Sequence, residues 1–279
     1  MARFDSSLSL RLGKTLWKAG HILLLCVGGF WQVFMLAPLV IVVIVSFTSA
    51  SYLLFPPPGY SLRWYAAVME LSWFWRSLGV SLTVAVVSTA IAVVLGTLAA
   101  RALTRRKFPG HSVLEYVVLS PLLLPGVVLG FALFNVLVLL RLENLGLPNL
   151  IVAHTLITLP FVVRSVWSAM AGTDASLEEA AYSLGATPLK AFRYVVLPTA
   201  MPGILAGTIL AFTYSFNDVT ISIFLTSGSV TTLPVELMAD LEYSANAAPA
   251  AISSLMIALM LFMFLLVIRI GGLRAFLER

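Results

Sequence analysis

Few residues in this 279-residue chain could do chemistry, because only 10% carry charge. Two places stand out: Asp218, set in a long apolar stretch, and Glu178–Glu179, set in a polar one. A carboxylate inside an apolar span is costly and points to a solute path or to an ion pair with Arg164 or a partner-subunit cation. At 100° per residue, Thr208, Ser215, Asp218, Ser222 and Thr226 fall within about 80° of one another on a single helix. That polar stripe, flanked by Asn217, reads in two ways. It lines a path for a solute, with Asp218 attracting a cation, or its hydroxyls join neighbouring helices at ~1 kcal/mol or less per contact. We take Asp218, Asn217, Ser215 and Ser222 as candidates for the path, and the joining role stays open for the hydroxyls. His154, Thr158, Ser165 and Ser168 share one side of an earlier stretch, and Ser77, Ser81 and Ser88 one side of another. Arg164 lies nearer the opposite end of its stretch from Asp218, so it reads as structural rather than as its partner.

Other chemistries lack their residues. His21, His111 and His154 share no ligand spacing, so no metal site is expected, and the single cysteine, Cys26, cannot form an internal disulfide. Gly13-Lys14-Thr15 looks like the end of a phosphate-binding loop, but Leu8 stands where its first glycine belongs. No nucleophile or metalloprotease motif occurs. The chain is therefore expected to be no enzyme by itself and to bind no cofactor.

The elements that position these residues follow from composition. Apolar residues make up 60% of the chain, against ~45–50% apolar and ~25% charged in a soluble domain. A soluble monomer and a disordered chain are both excluded. A bilayer core of about 30 Å needs roughly 20 apolar residues in a helix. Six segments qualify, near 23–47, 77–100, 116–140, 150–171, 203–226 and 249–270. The first exceeds the apolar length of a signal peptide and reads as a retained anchor. Pro121, Pro125 and Pro160 fall in the third and fourth segments and are candidates to kink them.

Charge sets the orientation. With both termini cytoplasmic, 13 of the 17 Lys and Arg lie inside, Arg63, Arg76 and Arg141 lie outside, and Arg164 lies within a span. The net charge of +5 is thus a membrane signature and not a nucleic-acid footprint. Trp64, Tyr65, Trp73, Phe74 and Trp75 suit a headgroup region and predict a short interfacial helix there. A second short helix is expected around Pro234–Leu241. The organisation is an N-terminal segment 1–22, one six-span domain 23–270 and a tail 271–279, with no separate soluble domain.

The connection 173–198, between the fourth and fifth segments, carries the second chemical site. Asp174 or Ser176 can cap a helix whose first turn holds Glu178 and Glu179. Gly185 can end that helix with a positive φ, and Pro188 can open a second. Leu189, Phe192 and Val196 then recur at helical spacing until Pro198 stops the run. This predicts a helix–turn–helix lying on the inner membrane face. By itself, it could merely join two spans.

Its residues are Glu179-Ala180-Ala181, three more, Gly185, nine more, Val195, one more, then Leu197-Pro198. The pattern resembles the EAA motif of permease subunits of binding-protein-dependent ABC importers, departing only in Val195 for the usual Ile. The resemblance implies an all-α membrane protein of the type I ABC importer permease fold in the bacterial cytoplasmic (inner) membrane. It implies that Glu179, Ala180, Ala181, Gly185, Val195, Leu197 and Pro198 form a coupling loop, with Glu179 meeting a basic group of a separate ATPase. The implied partners are a second permease subunit, two cytoplasmic ATPase subunits that hold ATP and Mg, and a periplasmic or extracellular substrate-binding protein. ATP-driven closure of the ATPase pair would pull on the loop and swing the spans between inward- and outward-facing states.

Ser61-Leu-Arg-Trp-Tyr65, Asn217-Asp-Val-Thr-Ile-Ser222 and Thr232-Leu-Pro-Val235 are similar to the polyamine branch, the second membrane subunit of spermidine/putrescine importers. Branches for aminoethylphosphonate, ferric ion, opines and amino acids share these short motifs, so the small solute stays open. An ion-coupled secondary transporter would need internal repeats with broken helices at matching positions, and none is visible. A membrane-embedded enzyme would have only Asp218, Arg164 and His154 to work with.

Overall fold

Long apolar runs, punctuated by Pro and Gly, leave the backbone no partner but itself inside lipid, and helix is the outcome. The computed structural model describes residues 6–105, 109–172, 176–228, 230–243 and 246–271. Among them there are twelve α-helices and two isolated β-bridges, Thr48–Tyr60 and Ser227–Val230, with no strand.

The chain divides into two compact units: residues up to Tyr65 with Asn246–Ser254, and Ala66–Ala245 with residues from Leu255 on. In the first, α1 (Ser6–Ser46) exposes apolar side chains such as Leu24, Phe30, Val33 and Met35, as a lipid-facing helix must. The Tyr65 hydroxyl lies between the Oγ atoms of Ser46 and Ser254, at 2.6 and 2.7 Å. The helix α2 (Arg63–Glu70) is the short element expected among the aromatics.

The second unit is built on α3 (Ser72–Arg105), α6 (Leu147–Ala171) and α9 (Leu197–Asn217). One core cluster joins Ala92, Ala100 and Leu103 of α3 to Val162, Val163, Val166 and Met170 of α6 and to Ala200, Ile204 and Ala211 of α9. Small residues permit this closeness. A Cβ on Gly203 would stand 2.5 Å from the Ser165 carbonyl oxygen, and one on Gly207 2.9 Å from the Val162 Cα. Gly96 approaches Val162 from the other side, where a Cβ would meet its Cγ1 at 2.8 Å. Ser77, Ser81 and Ser88 share the buried side of α3, as their spacing requires.

Among the described residues, five helices are long and apolar enough to cross a membrane: Gly20–Ser46, Ser72–Thr104, Leu147–Ala171, Pro188–Asn217 and Ala248–Arg269, the last within α12 (Ala248–Gly271). The third expected segment is not one helix. The helix α4 (His111–Leu119) runs through a 3₁₀ turn to Leu122, and α5 (Gly126–Leu139) leaves at 107° to it. Pro121 sits in the 3₁₀ turn and Pro125 caps α5, so the missing N–H groups fall where the ladder breaks. Pro160 lies inside an unbroken α6.

The fifth segment is displaced. Pro198 does not stop the preceding run: α7 (Ser176–Ser183), α8 (Pro188–Ala191) and a π-turn, Phe192–Val196, lead directly into α9 at Leu197. The Leu197 N–H reaches back five residues to the Phe192 carbonyl, and this wider turn admits a proline at the second position of α9. At the other end the helix stops at Asn217, and α10 (Ser222–Leu225) is a separate short helix. The expected stripe through Asp218, Ser222 and Thr226 is therefore not one helical face. A further helix, α11 (Leu233–Tyr243), covers the expected Pro234–Leu241.

Candidate functional site

The hairpin of α7 and α8 is closed by its own backbone. Gly185 has φ +83°, its N–H donates to the Tyr182 carbonyl at 2.9 Å, and the Ala186 N–H donates to the Ala181 carbonyl at 3.0 Å. This is the Schellman end that a glycine makes without a Cβ penalty. Thr187 then caps α8, its hydroxyl accepting from the Lys190 N–H at 3.4 Å, with Pro188 in the first turn. Residue Asp174, a candidate cap for α7, lies outside the described residues.

Two carboxylates in the first turn of α7 part ways. Glu178 is buried, and its Oε1 accepts from the Arg101 Nη2 of α3 at 2.5 Å and from the Tyr182 hydroxyl at 2.9 Å. The Arg101 guanidinium also lies 5.0 Å from the centre of the Phe192 ring. Glu179, by contrast, is exposed, as is Ala180, while Ala181, Val195 and Leu197 are half-buried and Pro198 is exposed. Beside Glu179 the hairpin presents large apolar groups outward: Leu184 is 89% exposed, Leu189 75% and Tyr194 70%. The hairpin thus exposes one carboxylate together with several large apolar side chains.

A second constellation lies at the end of α9. The Asp218 carboxylate accepts from four donors at the start of α10: Thr220 Oγ1 at 2.9 Å, the N–H groups of Ile221 and Ser222 at 3.1 and 3.0 Å, and Ser222 Oγ at 3.1 Å. It thereby satisfies a helix start inside the fold. His154, fully buried on α6, places Nε2 3.0 Å from Ser222 Oγ and Nδ1 2.7 Å from Ser215 Oγ. Ser222 gives its one proton to Asp218, so Nε2–H donates to Ser222 and Nδ1 accepts from Ser215. Ser88 of α3 stands 3.2 Å from Ser215 and extends a line of polar contacts through Ser88, Ser215, His154, Ser222 and Asp218. The Nε2 of His154 is 3.9 Å from Asp218 Oδ2, whereas Arg164 is exposed on another face of α6.

Ser215, Asp218 and Ser222 thus meet in one buried hub. Asn217 does not join them: it is exposed, and its Nδ2 donates to the Thr213 carbonyl at 2.9 Å. Two features escaped the sequence reading, the Arg101–Glu178 pair and the role of His154. The i, i+4 spacing of Glu178 and Tyr182 was a visible signal for the first, but its cation lies 77 residues away.

Residues 92–279 match the binding-protein-dependent transport system inner membrane component family. The chain belongs to this family. It is 35% identical over 230 residues to the putrescine transport system permease protein PotI of Escherichia coli, covering 80% of this chain and 82% of that one. It is 31% identical over 239 residues to the spermidine/putrescine transport system permease protein PotC of the same organism, covering 85% and 90%. The fold resembles a crystal structure of a bacterial ABC transporter that imports the acidic polysaccharide alginate, with a TM-score of 0.72 and 15% identity over 94% of this chain and 98% of that one. The chain is thus a permease component of a binding-protein-dependent ABC importer.

Proposed function

We propose that this permease forms half of the translocation pathway of an ATP-driven importer for a polyamine such as putrescine or spermidine. The permease family and the PotI and PotC relatives support the reading. A second permease subunit completes the path, two ATPase subunits carry ATP and Mg on the cytoplasmic side, and an external binding protein delivers the solute. The proposed topology has six crossings with both termini cytoplasmic, a reading supported by the five apolar helices, the bent α4–α5 pair and the distribution of Lys and Arg.

The hairpin 173–198 docks on the ATPase. The observation that carries this reading is the outward Glu179 beside exposed Leu184 and Leu189, on a hairpin that its own glycine end holds closed. Glu179 pairs with a basic group of the ATPase, a charge-assisted contact. Ala180 and Ala181 allow close approach, Gly185 makes the turn, and Val195, Leu197 and Pro198 join the hairpin to α9. Ser215, Asp218 and Ser222 fix the break that ends α9, and Asn217 offers its amide on the exposed side of that break.

Co-purification tests the assembly, and uptake tests the solute. The tagged permease should bring down an ATPase from native membranes, and vesicles holding the complex should take up labelled putrescine only with ATP inside. Uptake of a different solute, unaffected by excess polyamine, would refute the polyamine reading.

A further inference from the structure

We propose that Arg101 and Glu178 are a positioning pair that ties the docking hairpin to α3, so that hairpin and helix move as one body. The proposal rests on the docking reading for the hairpin.

Sequence alone leaves α7 free to hinge. It is joined to α9 through the Gly185 turn and a four-residue α8, and among the described residues no backbone hydrogen bond fastens it to α3. The side chains supply that fastening. Glu178 is buried at 8% exposure and meets Arg101 across 77 residues of chain, at 2.5 Å. Tyr182, one turn further along α7, donates to the same Oε1, and Phe192 of the π-turn lies 5.0 Å from the guanidinium carbon. Arg101 therefore touches both arms of the hairpin at once. Parting the pair leaves the buried Glu178 carboxylate without its cation, which resists opening.

The helix α3 carries the motion inward. Ala100 and Leu103, on either side of Arg101, are in the core formed with α6 and α9. Ser88 lies on the same unbroken helix, 13 residues and thus about 20 Å away, and its hydroxyl meets Ser215, which leads on to His154 and Asp218. A shift imposed on the hairpin thus reaches the hub through one rigid element with an identified contact at each end.

The test uses the complete importer in vesicles, with putrescine as the probe. The variants are Arg101→Glu, Glu178→Arg and the exchanged pair. Each single change should keep the ATPase subunit and its basal hydrolysis, while uptake per ATP falls about tenfold or more. The exchanged pair should recover most of that loss. In a second arm, Arg101→Cys and Glu178→Cys on a Cys26→Ser background are joined by a short thiol cross-linker, and uptake should persist. Normal uptake in both single variants would overturn the proposal, as would loss of the ATPase subunit from them or a block of uptake by the cross-link. Glu179→Lys in parallel separates the two claims: if it keeps the ATPase subunit and full uptake, docking itself fails whatever the pair does.

Discussion

Glu178 and Glu179 are consecutive in the chain and opposite in environment: the first is buried against Arg101, and the second is exposed on the first turn of α7. A rotation of 100° between neighbours on a helix produces the divergence. It assigns the two carboxylates different work. One holds the hairpin to its own subunit and the other is presented to a partner.

Gly185 sets the shape of that presentation. Its φ of +83° is strained for any residue with a Cβ, yet a Cβ there would meet nothing within 4 Å. Backbone conformation alone is at stake, at about 1–2 kcal/mol. Gly185→Asn should keep most uptake activity, because asparagine tolerates this region, while Gly185→Val should lose most of it. Equal uptake by the two variants would show that the turn does not govern docking.

The hub at the end of α9 makes a separate prediction. His154→Ala removes one hydrogen bond from each of Ser215 and Ser222, and Asp218→Asn turns amide protons toward the donors of α10. Each change should cost about 1–3 kcal/mol, the usual penalty for buried polar groups without partners. Thermal unfolding of the purified complex should report it as a lowered midpoint. An unchanged midpoint for Asp218→Asn with a raised KM for putrescine would move Asp218 from the hub to the solute path.

Close helix approach is tested by two glycines of contrasting surroundings. A Cβ on Gly203 meets the Ser165 carbonyl oxygen at 2.5 Å and the Val166 Cα at 2.8 Å, neither of which can swing aside, whereas a Cβ on Gly28 meets nothing within 4 Å. Gly203→Ala should destabilise by about 1–3 kcal/mol through overpacking, and Gly28→Ala should not destabilise at all. Thermal midpoints of the two variants in the same detergent decide the matter.

What the sequence made legible was mostly local. Hydropathy located the apolar helices, and the glycine end at Gly185 and the proline start at Pro188 stand where their backbone preferences put them. The misses arose where a helical period was extended across a break. Pro121 and Pro125 turn the third segment through 107°. The stripe through Asp218 failed because a carboxylate able to cap α10 ends one helix and starts another. Pro198 misled in the opposite direction, since the π-turn before it removes the need for the N–H it lacks. Contacts such as Arg101–Glu178 and His154–Ser215 join residues 77 and 61 positions apart, and no local pattern encodes them.

The docking of the hairpin through Glu179 is the centre of this account. Glu179→Lys reverses the one exposed charge in the Glu178–Glu179 pair without disturbing the buried one. In membranes that hold the variant at normal amount, pull-down of the tagged permease should recover little ATPase, and ATP-driven putrescine uptake should fall to background. Wild-type recovery of the ATPase together with wild-type uptake would contradict the account.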